Sequence, residues 1–428
     1  MKRGAFSMKQ DKFFGYKAAI GAFLVIFVNL GAASTLGVFL PSMSEYTGWS
    51  VGILGYNGTF NTIGNVLLSL ICVKALSKYG PKKLMLISII GIFLNFQLYT
   101  FATSGQDTLS LVLIYLAGLA ASFAIVFGTH AVCTFVISSW FVEKREKVIG
   151  MVLSGASFGA AVWVFAAGQM FRYMDYRECY RILSFIILAI GLLAVIFLIR
   201  DPEKMGQKPL GYEKAGADAG VDSSKLPGIT RREAIKTPSF WFFAGALLLG
   251  GMEGSAWLVY SPTWWTMNGL TATQAANWNA IYTVIAGLVM LGVGVVFKKM
   301  GASLFSVCTC AAFSLCMVML VIYGSTPNTT VLILTVVFGA LAYPLSASIP
   351  SIVGQSVFGP REFGAISATL MTGVYLGQAL YAPVMSIFLE SDMGFDGGWK
   401  FLCACGIVTM VLLILSIATS PMKKSAAK

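Results

Sequence analysis

The sequence is short of charge. Asp, Glu, Lys and Arg make up 11% of its 428 residues, whereas a soluble chain carries roughly a quarter, so an ordinary water-facing globular surface is excluded. Histidine is almost missing, His130 being the one example, which leaves little material for a histidine-based metal centre or for catalysis. No Gly-x4-Gly-Lys-Ser/Thr run occurs, so the chain has no ATP-driven engine of its own. Nor is any basic run interleaved with aromatics, as a nucleic-acid surface requires. The net charge of +12 therefore does not make nucleic acid a partner.

The eight cysteines, Cys72, Cys133, Cys179, Cys308, Cys310, Cys316, Cys403 and Cys405, fall almost entirely inside apolar runs and form no disulfide framework. Cys308/Cys310 and Cys403/Cys405 are alternate residues, which on a helix point to different faces. They read as packing cysteines, and no metal or cofactor is expected.

What is abundant is apolar surface: 57% of the residues are hydrophobic and mean hydropathy is +0.79. A bilayer-spanning helix needs about 20 apolar residues, and the chain is nearly continuously apolar between short polar breaks. The pattern predicts an all-α membrane protein with spans at 17–40, 51–76, 82–103, 109–138, 147–170, 179–199, 239–267, 274–297, 301–323, 329–356, 363–389 and 398–420. The resulting organisation is a six-helix unit over 1–199, a polar linker over 200–238 and a second six-helix unit over 239–428. The basic start (Lys2, Arg3, Lys9, Lys12, Lys17) leads into an apolar stretch long enough to span, so the first helix is expected to stay attached and serve as its own insertion signal.

Basic residues set the expected orientation. With the N-terminus cytoplasmic, the inside segments hold 26 of the 30 lysines and arginines, leaving Arg172, Arg177, Arg181 and Lys400 outside. Both termini and the linker are thus expected on the cytoplasmic side of a cytoplasmic (inner) membrane. A monomer is the default.

An internal repeat relates the two halves. Lys78-Tyr79-Gly80 corresponds to Lys299-Met300-Gly301 at an offset of 221, Arg145-Glu146 to Arg361-Glu362 at 216, and Gly155/Gly159 to Gly373/Gly377 at 218. The glycine pairs are expected to pack at the interface between the two moving halves.

With these landmarks the chain resembles the major facilitator superfamily over essentially its whole length. The loop Ser77-Lys78-Tyr79-Gly80-Pro81-Lys82-Lys83 keeps that superfamily's glycine and bases but lacks its acidic residue. Gly37-Val38-Phe39-Leu40-Pro41 with Glu45 and Gly48-Trp49-Ser50, and Phe141, Arg145, Gly150, Gly155 and Gly159, are similar to the monocarboxylate and oxalate/formate porter branch. The resemblance implies two six-helix bundles and secondary transport of a small organic solute, such as a carboxylate or related metabolite, by alternating access, with protons as an optional co-substrate. It also implies an arginine in the eighth helix to hold a carboxylate, where this chain has Met290. A neutral or cationic amphipathic solute is the alternative; a membrane-embedded enzyme or a passive channel is the alternative of another class. Lys78, Gly80, Arg145, Lys299, Gly301 and Arg361 mark the implied gating loops.

Several intramembrane residues are candidates for the pathway or for coupling. A charge near the bilayer centre costs about 2.5–3.5 kcal/mol on insertion scales, and Glu253, within Gly250-Gly251-Met252-Glu253-Gly254-Ser255, is the acid placed deep in a span. It reads either as a proton-coupling site or counter-charge, or as a structural acid hydrogen-bonded between helices. His130 reads as pathway-lining or as a packing residue. Asn57, Asn61 and Asn65 recur at i, i+4 and i+8 and share one helix face, facing either the cavity, with Tyr56 and Asn29 as companions, or a neighbouring helix. Trp257, Tyr260 and Tyr282, together with Tyr375, Gln378 and Tyr381, are expected to form an aromatic pocket with few polar contacts.

Overall fold

The computed structural model of the chain describes residues 13–141, 145–210, 228–359 and 361–422. Ten helical stretches among them are long and apolar enough to cross a bilayer. One of these, Ala272–Ser325, is two helices meeting at Gly301, and Val51–Tyr79 adds a further 29-residue helix. The described residues thus hold twelve spans, labelled α1 (Gly15–Thr47), α2 (Val51–Tyr79), α3 (Pro81–Thr100), α4 (Thr108–Trp140), α5 (Val148–Met170), α6 (Tyr176–Leu198), α7 (Pro238–Met267), α8 (272–300), α9 (302–325), α10 (329–358), α11 (Phe363–Leu389) and α12 (Gly394–Ala418). Helix dominates because the bilayer offers no water to unpaired backbone groups, and a helix satisfies them within itself.

Helix α1 runs further than the sequence pattern predicts, to Thr47 rather than to residue 40. Pro41 lies inside it. A proline removes one backbone donor, but it bends a membrane helix without ending it when the neighbouring turns can re-pair the freed carbonyls.

The twelve helices form two bundles. In the first, α1 packs on α5, α2 on α4, and α3 on α4 and α6; in the second, α7 packs on α11 and α12, and α8, α9 and α10 complete the set. Helices α2 and α11, and α5 and α8, meet across the boundary between bundles.

The repeat is visible in backbone geometry. Gly80 joins α2 to α3 with φ 77° and ψ 164°, and Gly301 joins α8 to α9 with φ 73° and ψ 170°. That region is open to glycine and strained for any residue with a Cβ. Both loops therefore reverse the chain by the same one-residue device.

The glycine pairs correct one expectation. A Cβ on Gly155 would meet the Phe23 carbonyl oxygen at 2.7 Å and one on Gly159 the Phe27 oxygen at 2.3 Å, while Gly373 and Gly377 sit against the oxygens of Ala244 at 2.9 Å and Leu248 at 1.8 Å. These contacts join α5 to α1 and α11 to α7, so each pair closes packing inside its own bundle and not between the halves. The lack of a side chain lets the backbones approach. Phe23 and Ala244, like Phe27 and Leu248, are 221 residues apart, as the repeat demands.

On the side away from the linker, polar side chains cap the helix starts. Ser50 accepts from the Ile53 amide, Asp107 from Leu109, Asp175 from Glu178, Thr271 from Gln274 and Asn328 from Thr330. Each satisfies an amide that the first helical turn leaves unpaired.

Candidate functional site: a cavity between the bundles

A cavity of about 260 Å³ lies between the two bundles. Leu30 and Ser34 of α1 and Ala156, Ser157 and Ala160 of α5 form its wall on the first bundle. The second contributes Gly250, Gly251, Gly254, Ser255, Trp257 and Leu258 of α7, Tyr282, Thr283 and Ala286 of α8, Phe313 of α9, Gly339, Ala342, Tyr343, Leu345 and Ser346 of α10, and Gln378 of α11. The glycines shape it. Gly339 makes room for Trp257, whose Cζ2 would stand 2.7 Å from a Cβ there, and Gly254 brings α7 close to Ser346, whose Oγ would stand 3.1 Å from a Cβ. Trp257 meets the Tyr282 ring edge-on at 5.4 Å and Trp265 at 5.9 Å.

Of the residues singled out from the sequence, the structure brings Trp257, Tyr282 and Gln378 into this lining. Tyr260 and Tyr381 lie elsewhere, on the seal described below. Tyr56 and Tyr375 are partly exposed and outside the lining, as is the half-buried Met290 on α8. His130 begins the second segment of α4, and its side chain lies outside the described residues.

Glu253 is fully buried yet absent from the lining, although its neighbours Gly251 and Gly254 belong to it. The carboxyl points the other way, into the second bundle, where Thr409 Oγ1 of α12 donates to Oε1 at 2.8 Å. Oε2 has no partner among the described residues. Cys310 of α9 and Cys403 and Cys405 of α12 are its electrostatic neighbours.

The asparagine stripe faces a neighbouring helix. Asn57 donates to the Ile114 carbonyl and accepts from the Tyr99 hydroxyl at 3.1 Å. Asn61 donates to Gly118 at 3.1 Å and Asn65 to Asn61 at 3.2 Å. Asn29 donates to Ser88 Oγ at 2.9 Å, inside the first bundle. The second of the two readings describes these side chains, whose amides donate mainly to backbone carbonyls of the neighbouring helix, with Asn29 Oδ1 and Asn65 Oδ1 left unpaired among the described residues.

One side of the cavity is sealed. Tyr381 Oη donates to the Gly55 carbonyl at 3.2 Å, and Thr59 Oγ1 to the Ala379 carbonyl at 2.8 Å. The Tyr260 and Tyr381 hydroxyls sit directly on α2, each 2.0 Å from where a Cβ would stand on Gly55 and Gly58 respectively. Between α5 and α8, Thr273 Oγ1 donates to the Gly168 carbonyl at 2.7 Å and Gln169 to Asn277 at 3.1 Å. All of these contacts cross between bundles in the half of the molecule away from the linker. Sequence reasoning missed Gly55 and Gly58, although a glycine every third residue beside Tyr56 was a signal for close approach.

The gating-loop residues lie at the opposite, linker end. Lys78 rests over the Tyr79 ring at 5.2 Å, Lys299 is exposed, and Arg361 adjoins Gly228, whose Cβ would be 3.0 Å from the Arg361 amide nitrogen. The Arg145 side chain is outside the described residues. The Arg231 amide donates to Glu362 at 2.8 Å and that of Ile229 to Phe358 at 3.2 Å, tying the end of the linker to the loop between α10 and α11.

Two pseudo-equivalent six-helix bundles around a central cavity define a polytopic membrane fold. The chain belongs to the Major Facilitator Superfamily, whose family model matches residues 22–382. It is 28% identical over 193 residues to the agnestins efflux protein AgnL12 of Paecilomyces divaricatus, covering 44% of this chain and 43% of that relative. It is 21% identical over 391 residues to the aspyridones efflux protein apdF of Emericella nidulans, covering 89% and 73%. Among solved structures, the nucleoside transporter NupG superposes with a TM-score of 0.72 at 13% identity, covering 94% of this chain and 98% of that one. The chain thus spans less than half the length of the first of these relatives. The structural likeness shows the fold alone.

Proposed function

We propose that the chain carries a small organic solute across a cytoplasmic membrane as a secondary active transporter, with the 260 Å³ cavity as its binding site. The observation that carries this reading is the one-sided seal: Tyr381 on Gly55, Thr59 on Ala379 and Thr273 on Gly168 close the half away from the linker. A two-fold repeat with one end closed is what alternating access needs, since rocking one bundle against the other exchanges the closed end. The 26 basic residues that the sequence assigns to the inside segments support a cytoplasmic linker and termini, and hence an inward-open arrangement. The division at 1–199, 200–238 and 239–428 is the expected boundary of the rocking units.

Efflux is the direction favoured by the two named relatives, both efflux proteins. Proton coupling at Glu253 is supported by its burial and by an Oε2 without a partner among the described residues. Coupling there would act through the α7–α12 contact and not by touching solute.

The test is a distance measurement on spin labels at Lys78→Cys and Lys299→Cys in proteoliposomes. Two interconverting separations, redistributed when solute is added, are expected. A single unchanging separation together with non-saturable flux would favour a channel and sink the proposal.

A further inference from the structure

The proposed cavity would be expected to show its substrate's charge in its walls, and among the described lining residues there is no Asp, Glu, Lys, Arg or His. The polar side-chain groups it offers are hydroxyls, from residues such as Ser34, Ser157, Ser255 and Ser346, the single amide of Gln378 and the indole N–H of Trp257. Hydroxyls and an amide donate and accept equally and suit a neutral partner. A bare carboxylate or ammonium, by contrast, must be matched by an opposite charge when it leaves water.

The nearby acid does not change this, because Glu253 is turned to Thr409 on the far side of α7. Nor does the position where the resemblance implies an arginine, because Met290 stands there and lies outside the lining.

Shape adds a second constraint. Gly250, Gly251 and Gly254 place bare backbone along one wall, and Trp257 and Tyr282 border the space with ring edges and faces in T-shaped contact at 5.4 Å. Gly254 and Trp257 lie one turn apart on the same helix, so the missing side chain leaves the indole uncovered on the cavity side, where a flat ring can rest against it. The volume of about 260 Å³ is at the small end of ligand sites, which run from roughly 300 to 1,000 Å³.

From these observations we infer that the substrate is an uncharged, flat molecule of one or two rings bearing hydroxyl or amide groups at its edge, and not the carboxylate that the porter-branch resemblance implies. This assignment rests on the cavity being the transport site.

The experiment compares three probes of closely matched shape on the purified full chain: 4-hydroxybenzyl alcohol, 4-hydroxybenzoate and 4-hydroxybenzylamine. Thermal stabilisation and quenching of tryptophan fluorescence are read at pH 7, and the wild type is compared with Gln378→Ala and Ala286→Arg. The neutral alcohol is expected to bind, with the anion and the cation weaker by about tenfold or more. Gln378→Ala should weaken the alcohol, and Ala286→Arg should turn the preference towards the benzoate. Equal or tighter binding of the anion or the cation by the wild type overturns the assignment, as does the absence of binding by all three probes. If Ala286→Arg fails to fold, the wild-type ranking and the Gln378→Ala variant decide the matter alone. The spin-label distances between positions 78 and 299 judge alternating access separately. A wrong substrate class with two separations intact is therefore distinguishable from failure of the transport reading.

Discussion

A Cβ built on Gly37 would fall 2.8 Å from the carbonyl oxygen of Leu258, and these two residues are counterparts in the repeat, 221 positions apart. A residue that touches its own counterpart marks where the pseudo-two-fold axis between the bundles passes. Pro41 of α1 and Pro262 of α7 lie beyond them at the same offset. The axis therefore runs through the sealed half, where any added bulk must push the two bundles apart.

Gly37→Val is accordingly expected to open the seal, and Tyr381→Phe to loosen it by removing the 3.2 Å bond to Gly55, worth about 0.5–1.5 kcal/mol. Thiol labelling of Ser386→Cys, beside Gly52 in the same half, measures this from the side away from the linker. Faster labelling in both variants, with Gly37→Val the larger, is the expected result. Unchanged labelling would mean that the seal does not depend on these contacts.

Gly377→Ala should destabilise the second bundle by about 1–3 kcal/mol, the usual cost of overpacking, because its Cβ would meet the Leu248 oxygen at 1.8 Å. Gly292→Ala, with open space around it, is the matched control. Melting of the two purified variants should separate them clearly, and equal melting temperatures would show that α7 and α11 are free to move apart.

Glu253→Gln keeps an oxygen for Thr409 and removes the titrating group. Because Glu253 does not line the cavity, probe binding should stay within about twofold of wild type, while flux loses its response to an imposed pH gradient. Proton-driven flux that survives this substitution rules out coupling at Glu253.

Asp175 lies outside the spans, at the start of α6. Partial burial raises its carboxyl, but the Glu178 amide at 2.8 Å and the Arg177 guanidinium at 3.2 Å outweigh that effect and hold it below its ordinary value of 3.8. A carboxylate lowered in the folded state contributes its stability above that ordinary value and loses it as pH falls through the lowered one. Fraying at the start of α6 should therefore appear below pH 3.8 in the wild type. Asp175→Asn should show less dependence on acid, as read by proteolysis of the loop between α5 and α6 at matched pH.

The spans, their number and the repeat were legible in the sequence because the bilayer imposes a local rule. Each crossing needs a fixed length of apolar helix, and polar breaks mark its ends. Gly80 and Gly301 were found as counterparts from their flanking bases alone, and the backbone gives them the same conformation. The first span runs past the predicted residue 40 to Thr47 with Pro41 inside it, a proline that a packed membrane helix tolerates.

The facing of each side chain was decided only by tertiary structure. Successive residues on a helix differ by about 100°, so Gly254 can line the cavity while its neighbour Glu253 bonds to Thr409 behind it. A hydropathy pattern in which nearly every face is apolar carries no signal about which face meets lipid, bundle or cavity. The same is true of the asparagines of α2, whose spacing places them on one face and whose partners on α4 come from a helix some 57 residues away in sequence. The sequence by itself determined twelve crossings in two related halves. Only the packing of those halves decided that the cavity between them is uncharged.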